Sequence, residues 1–140
     1  MLRKGREVNS MKRYFLIHFA FIAIFGATVA AAQTPAEIQV KIGSEKRESR
    51  SRITVRFVSV VEDSRCPVGV DCVWAGNAQI RVKVRRGAGS WKTVKLNTGK
   101  GEQTVRISGY EIRLKSLTPA PHAEKPLDKA KYSATLEIRK

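Results

Sequence analysis

The sequence predicts an all-β fold, an antiparallel β-sandwich of about seven strands in one immunoglobulin-like domain. After residue 33, short runs rich in β-branched residues carry apolar side chains at every second position, and no stretch of useful length has a helical period. Clusters of Gly, Pro, Asn and Ser separate these runs at roughly the spacing that is typical of a sandwich.

Seven strands follow from this alternation. They cover residues 38–42, 52–62, 78–85, 91–97, 103–108, 110–114 and 132–138. The second strand is expected to be central, with either burial on both faces or a bulge near Val58 and Val60, and with Val61 facing inward beside Phe57. We expect Trp91 and Tyr132 to be core aromatic residues.

Two segments are expected to be connections. Residues 44–51 are polar and charged with nothing to bury, and residues 118–131 contain three prolines, which cannot donate ladder hydrogen bonds. Connections of this length favour a sandwich over a closed barrel.

The first 32 residues have the layout of an export signal, with basic residues, then an apolar run, then small residues. Ala30 and Ala32 occupy the small-residue positions that precede a cleavage site, and Met11 is an alternative start. The apolar run is short for a spanning helix, which needs about 20 residues. We therefore expect a signal peptide over 1–32 and a secreted or periplasmic domain over 33–140, without a transmembrane span after cleavage.

The charge balance points to anionic partners. Residues 1–32 hold five of the 27 basic residues and one of the 12 acidic residues, so the expected mature chain keeps 22 and 11, a net charge of +11. Such an excess creates a positive field that attracts anions. For an exported protein, anionic envelope polymers or lipid head groups are nearer than nucleic acid, and no specific nucleic-acid binding is expected. The oligomeric state stays open.

The two cysteines predict a disulfide. Cys66 and Cys72 would meet an oxidising compartment in an exported chain, where paired thiols persist as disulfides. Closing so small a loop contributes about 2 kcal/mol, which suffices to order the loop but not to hold the fold. We expect Trp74 to pack on the disulfide side of the sheet.

Metal, redox and hydrolytic functions are poorly supported by the residue types. A metal site needs several ligands, and His122 is the one histidine after residue 32. The chain therefore offers too few ligands for such a site. The cysteine spacing is not Cys-x-x-Cys, and a hydrolytic triad would have to form around the same histidine. We therefore predict a protein that is not an enzyme and has no cofactor or metal.

The stretch Asp63-Ser64-Arg65-Cys66-Pro67, four residues, then Cys72-x-Trp74-x-Gly76 resembles a signature of uncharacterised bacterial secreted proteins and lipoproteins. The resemblance implies an envelope β domain with a disulfide, and it brings no activity. The lipobox cysteine of a lipoprotein is missing, so membrane anchoring is not implied.

Two groups of residues are candidate binding surfaces. The candidate binding loop comprises Asp63, Ser64, Arg65, Asp71 and Trp74. Its polar residues either bind a polar ligand or order the loop themselves, with Arg65 paired to Asp63 or Asp71. The candidate basic face comprises Arg81, Lys83 and Arg85, which alternate along one strand and so share a face. These residues either bind an anionic partner or only solvate the sheet and discourage edge pairing.

The function that these features favour is non-enzymatic. An exported envelope protein would bind an anionic component or a protein partner through its basic face and its disulfide loop. The alternative is a secreted inhibitor that inserts the 63–76 loop as a preorganised wedge into a partner's cleft.

Overall fold

The computed structural model describes residues 34–140. The predicted signal peptide and its cleavage site lie outside these residues. The described chain forms eight strands: β1 (Ala36–Lys41), β2 (Glu45–Arg47), β3 (Ile53–Asp63), β4 (Ala78–Arg86), β5 (Lys92–Asn97), β6 (Thr104–Ile107), β7 (Tyr110–Thr118) and β8 (Ser133–Arg139). A short 3₁₀ turn, Lys129–Lys131, precedes β8, and no helix within 34–140 is long and apolar enough to cross a membrane.

The strands form two antiparallel four-stranded sheets, which confirms the predicted β-sandwich. Sheet 1 has the order β1-β8-β7-β6, and sheet 2 has the order β2-β3-β4-β5. Neighbouring strands in both sheets are consecutive in the chain, except where β1 pairs with β8 and so ties the start of the domain to its end. An immunoglobulin domain, by contrast, places its second and third strands in different sheets.

The core is made by the alternating apolar residues that define the strand pattern. Val55 and Phe57 of β3 are in register with Val84 and Val82 of β4, and these four residues are fully buried, as is Ile53. The remaining core is filled by the inward side chains of both sheets: Ile38, Val40, Ala78, Ile80, Leu96, Ile107, Ile112, Leu114, Leu117, Tyr132, Ala134, Leu136 and Ile138. One shared core therefore holds the two sheets together.

The eighth strand, β2, was not predicted. It lies within 44–51, and all three of its residues are exposed, so no inward apolar side chain marks it in the sequence. Backbone pairing with β3 over Thr54–Arg56 makes it an edge strand. The edge carries charged side chains, as exposed edges commonly do.

Of the two alternatives expected for β3, burial on both faces or a bulge, the structure shows the bulge. The pairing of β3 with β4 shifts register between Phe57 and Ser59 and again between Val60 and Glu62. The first shift places Val60 in register with the buried Ile80, so Val61 points outward and the prediction that Val61 faces the core is wrong.

The two aromatic residues expected in the core have different positions. Tyr132 is 3% exposed and belongs to the core, as predicted. Trp91 precedes β5 and is only partly buried, outside the core, so its prediction is wrong. It stacks against arginines on the outer face of sheet 2, which a strand pattern cannot distinguish from an inward position.

Candidate functional site

The disulfide loop, residues 64–77, extends the β3–β4 hairpin beyond the sandwich. Ser64 N and Oγ both donate to Asn77 O, at 2.7 and 2.9 Å, and Cys66 N donates to Ala75 O at 3.0 Å. Gly76 permits this approach, since its φ is +73° and an added Cβ would lie 1.9 Å from Ser64 O. The base of the loop is therefore a continuation of the ladder rather than free chain.

The predicted disulfide is confirmed. Cys66 and Cys72 are bonded, with their Cα atoms 5.9 Å apart, and the described residues contain no free cysteine. Val70 N donates to Pro67 O at 3.3 Å within the ring. The ring thus fixes the short turn at the far end of the hairpin.

Arg65 anchors the loop to sheet 1. Its Nε donates to Asp63 Oδ1 at 2.8 Å, and its Nη2 donates to Asp63 Oδ2 at 2.7 Å and to Pro119 O at 2.8 Å. Its Nη1 donates to Leu117 O. Four of the five guanidinium donors are thereby used within the protein. The loop is also held by Val68 N, which donates to Pro121 O at 2.8 Å.

Asp63 is shared between Arg65 and the core tyrosine. The Tyr132 hydroxyl donates to Asp63 Oδ2 at 2.7 Å, and the Asp63 and Arg65 side chains are only 9% and 15% exposed. Burial acts to raise the pKa of Asp63, but the hydrogen bonds from Arg65 and Tyr132 outweigh it and hold that pKa below its ordinary value. Burial and the hydrogen bond to the Asp63 carboxylate raise the pKa of Tyr132 to about 12.

Of the two roles open to Asp63 and Arg65, the geometry favours the structural one. A guanidinium with four donors engaged and a carboxylate with both oxygens engaged have little capacity left for a ligand. The pairing also selects Asp63 over Asp71 as the partner of Arg65. We therefore conclude that Asp63 and Arg65 hold the loop in position and do not themselves bind a ligand.

Amide side chains support the other flank of the hairpin. Asn77 Nδ2 donates to Asn97 Oδ1 at 2.9 Å, and Asn77 Oδ1 accepts from Gly99 N at 3.0 Å. Asn97 is buried and also donates to Glu102 O at 3.2 Å. This network was missed by the sequence analysis, because an Asn beside a turn is equally common where it contacts only solvent.

The remaining loop candidates are exposed. Ser64 uses its hydroxyl for the ladder, and the Asp71 side chain lies in solvent. Trp74 is 73% exposed, so the expectation that it packs on the disulfide side of the sheet is wrong. The Nζ of Lys100 lies 5.2 Å from the centroid of the Trp74 indole ring. The hairpin extends past the sheet, which leaves Trp74 no core to enter.

The outer face of sheet 2 is cationic, and we call it the basic face. Arg81, Lys83 and Arg85 lie on the side of β4 opposite the buried Val82 and Val84. The register of the sheet adds three more cations to the same side, one from each of the other strands. The six residues are Arg47, Arg56, Arg81, Lys83, Arg85 and Lys95.

Several of these cations are direct cross-strand neighbours. Arg56 is in register with Lys83, and Arg81 is in register with Lys95. Among the described residues, Arg56 is the one member of the basic face in an ion pair, with its Nη2 2.7 Å from Glu45 Oε2. Like charges directly opposite each other destabilise a sheet.

Trp91 lies between two arginines of the basic face. The guanidinium carbon of Arg85 is 4.4 Å from the ring centroid, and that of Arg56 is 5.2 Å away. The Nε of Arg85 is buried without a hydrogen-bond partner. Stacking on the indole therefore holds Arg85, and its charge stays uncompensated by any carboxylate of the described chain.

The outer face of sheet 1 has the opposite arrangement. Arg106 and Arg139 are both in register with Glu111, and Arg113 is in register with Glu137. A further ion pair joins Lys115 to Glu37 across the sheet. The outer face of sheet 1 thus pairs acidic with basic residues, although Glu37 is also in register with Glu137. On the outer face of sheet 2, the six cations outnumber the acidic residues Glu45 and Glu62.

No protein-family model matches the chain, and the searches of curated proteins and of solved structures also return no match. Within residues 34–140, no group of three or more His, Cys, Asp or Glu side chains is placed to hold a metal ion. His122 is exposed, and its backbone forms an isolated bridge with Val68.

Proposed function

We propose that this protein is a non-enzymatic, exported protein that binds an anionic component of the cell envelope through the basic face. The observation that supports this most directly is the contrast between the two outer faces. If the cations of sheet 2 served only to solvate a surface, opposite-charge pairs like those of sheet 1 would serve equally well and would stabilise the sheet.

The spacing of the basic face favours a ligand with several negative charges. Residues two apart on a strand are about 6.7 Å apart, and neighbouring strands are about 4.8 Å apart. Arg81, Lys83 and Arg85 thus form a row of roughly 13 Å. Arg56 and Lys95 lie beside that row on the adjoining strands. A single anion would contact only part of this surface, whereas an array of phosphates would contact all of it.

Salt-dependent binding tests the proposal. We expect the protein to bind linear polyphosphate and vesicles that contain phosphatidylglycerol, with an affinity that falls steeply as the ionic strength rises past about 0.15 M, where screening acts over about 8 Å. Each cation near an anionic surface contributes about 1 kcal/mol, so reversing three of them should weaken binding by at least about 100-fold. The test variant is Arg81→Glu with Lys83→Glu and Arg85→Glu.

The matched control makes the same charge change on the other face. It carries Arg106→Glu, Arg113→Glu and Lys115→Glu on the outer face of sheet 1. Both variants have the same net charge, so a general effect of charge would weaken binding equally in both. If both variants lose the same affinity, or if binding does not depend on the salt concentration, the basic face is only a solvated surface.

A further inference from the structure

Large exposed apolar side chains of the described residues are concentrated on the β3–β4 hairpin. Val73 is 89% exposed and Trp74 is 73% exposed, with Val68 and Val70 also exposed in the same loop. We call these four residues the apolar tip. Single exposed apolar residues are ordinary, but several of them on one loop are a feature that marks an interaction surface.

The apolar tip is held in this exposed arrangement. The disulfide closes the ring that contains Val68 and Val70, Cys66 N donates to Ala75 O, and Val68 N donates to Pro121 O. Since Val73 and Trp74 contribute nothing to the core, polar residues would serve folding equally well at these positions. An ordered apolar surface is suited to binding, because little entropy is lost when it engages a partner.

The apolar tip and the β4 residues of the basic face belong to the same hairpin. β4 begins four residues after Trp74, so Arg81 is the member of its basic row closest along the chain to the tip. Lys100 adds a positive charge beside Trp74 itself. Apart from the paired Asp63, the acidic residues of the hairpin are Glu62 and Asp71.

We propose that the apolar tip inserts at the head-group level of an anionic lipid bilayer while the basic face lies over the lipid phosphates. This inference rests on the proposed function and names the anionic partner. A lipid surface presents negative charge and an apolar phase together, and the hairpin is complementary to both. A linear polyanion would engage the cations and leave Val73 and Trp74 in water.

The depth of insertion is limited by the loop's own chemistry. Tryptophan prefers the membrane–water interface, because its ring is apolar and its N–H is polar. The loop backbone could not satisfy its polar groups in hydrocarbon, and the exposed Asp71 lies between Val70 and Val73 in the sequence. The tip therefore reaches the interface and does not span the bilayer.

The two tryptophans report separately on the two surfaces. Trp74 lies in the apolar tip and Trp91 on the basic face, and the chain contains no other tryptophan. In the Trp91→Phe variant, the fluorescence of Trp74 should shift to the blue on phosphatidylglycerol vesicles and should be quenched by lipids brominated on their acyl chains. In the Trp74→Phe variant, the remaining Trp91 should show no such quenching. Unquenched Trp74 on bound vesicles would overturn the inference.

Affinities of two variants for two ligands separate this inference from the proposed function. Val73→Ser with Trp74→Ser should weaken binding to phosphatidylglycerol vesicles by about tenfold or more, as loss of apolar burial requires, and leave binding to linear polyphosphate unchanged. The Arg81, Lys83 and Arg85 reversal should weaken both. A serine variant with unchanged vesicle affinity, or with equal losses on both ligands, would refute insertion. A charge reversal without effect on either ligand would refute the proposed function instead.

Discussion

Replacing Arg65 should destabilise the domain more than removing the disulfide. In Arg65→Met, a side chain of similar length keeps its apolar stem but loses the hydrogen bonds to Asp63, Leu117 O and Pro119 O. The Asp63 carboxylate, only 9% exposed, then keeps a single side-chain donor in Tyr132. A buried ion pair that loses one partner costs about 3 to 5 kcal/mol, because the remaining charge is left uncompensated.

The loss of stability expected for Arg65→Met is compared with the loss expected when the disulfide is removed. Closure of the ring between Cys66 and Cys72 contributes about 2 kcal/mol by its effect on the entropy of the unfolded chain. Both losses are smaller than a domain stability of roughly 5 to 15 kcal/mol, so both variants should still fold. The hydrogen bonds of Arg65 should therefore contribute more to the stability of the domain than the disulfide does, although both lie in the same loop.

Urea unfolding followed by far-ultraviolet circular dichroism measures both losses. The midpoint should fall further for Arg65→Met than for Cys66→Ser with Cys72→Ser, and the slope for Arg65→Met should equal that of the native protein. Asp63→Asn combined with Arg65→Met should cost less than the two single changes added together, since the residues are in direct contact. A midpoint for Arg65→Met at or above that of the cysteine variant would refute this account of the anchor.

Three further outcomes can be measured with the same unfolding assay. Because the folded pKa of Tyr132 is about 12 against an ordinary 10, its contribution is present below pH 10 and is lost as the pH rises to 12. About 3 kcal/mol should disappear there in the native protein but not in Tyr132→Phe. Gly76→Ala should cost more than about 2 kcal/mol, whereas Gly43→Ala, with a similar φ but open space at the Cβ position, should cost about 1 kcal/mol. Arg81→Thr should stabilise the sheet by a few tenths of a kcal/mol, because Lys95 loses a like-charged neighbour.

The fold was predictable because its core follows strict alternation. In β4, Ile80, Val82 and Val84 are buried while Arg81 is exposed, as the pattern requires. The prediction failed for elements in which apolar and polar side chains do not alternate. β2 has three exposed residues, and its existence depends on backbone pairing with β3, which side-chain periodicity does not encode. Trp91 shows the same limit, since a large aromatic residue at a strand end is buried equally well by a core or by two arginines.

The candidate site was predictable in composition but not in the roles of its residues. The sequence placed Asp63, Arg65 and the disulfide in one loop, yet the partners that decide the role of Arg65 are carbonyl groups some fifty positions away, at Leu117 and Pro119. A backbone carbonyl group that accepts a hydrogen bond cannot be recognised from the type of residue that carries it. The exposure of Trp74 was equally hidden, because it follows from how far the hairpin extends past the sheet.

The β3–β4 hairpin carries an exposed surface that lowers the stability of the domain. It also carries hydrogen bonds that keep the hairpin folded. Like-charged cross-strand neighbours and an exposed indole both cost free energy in the isolated protein, and the ion pair of Arg56 with Glu45 and the contact of Lys100 with Trp74 relieve only part of that cost. The contacts of Arg65 and Asn77 offset that cost from the base of the loop, through atoms that the exposed surface does not use. An external ligand can therefore engage the surface while the anchor stays intact, which is the arrangement expected of a binding site on a rigid support.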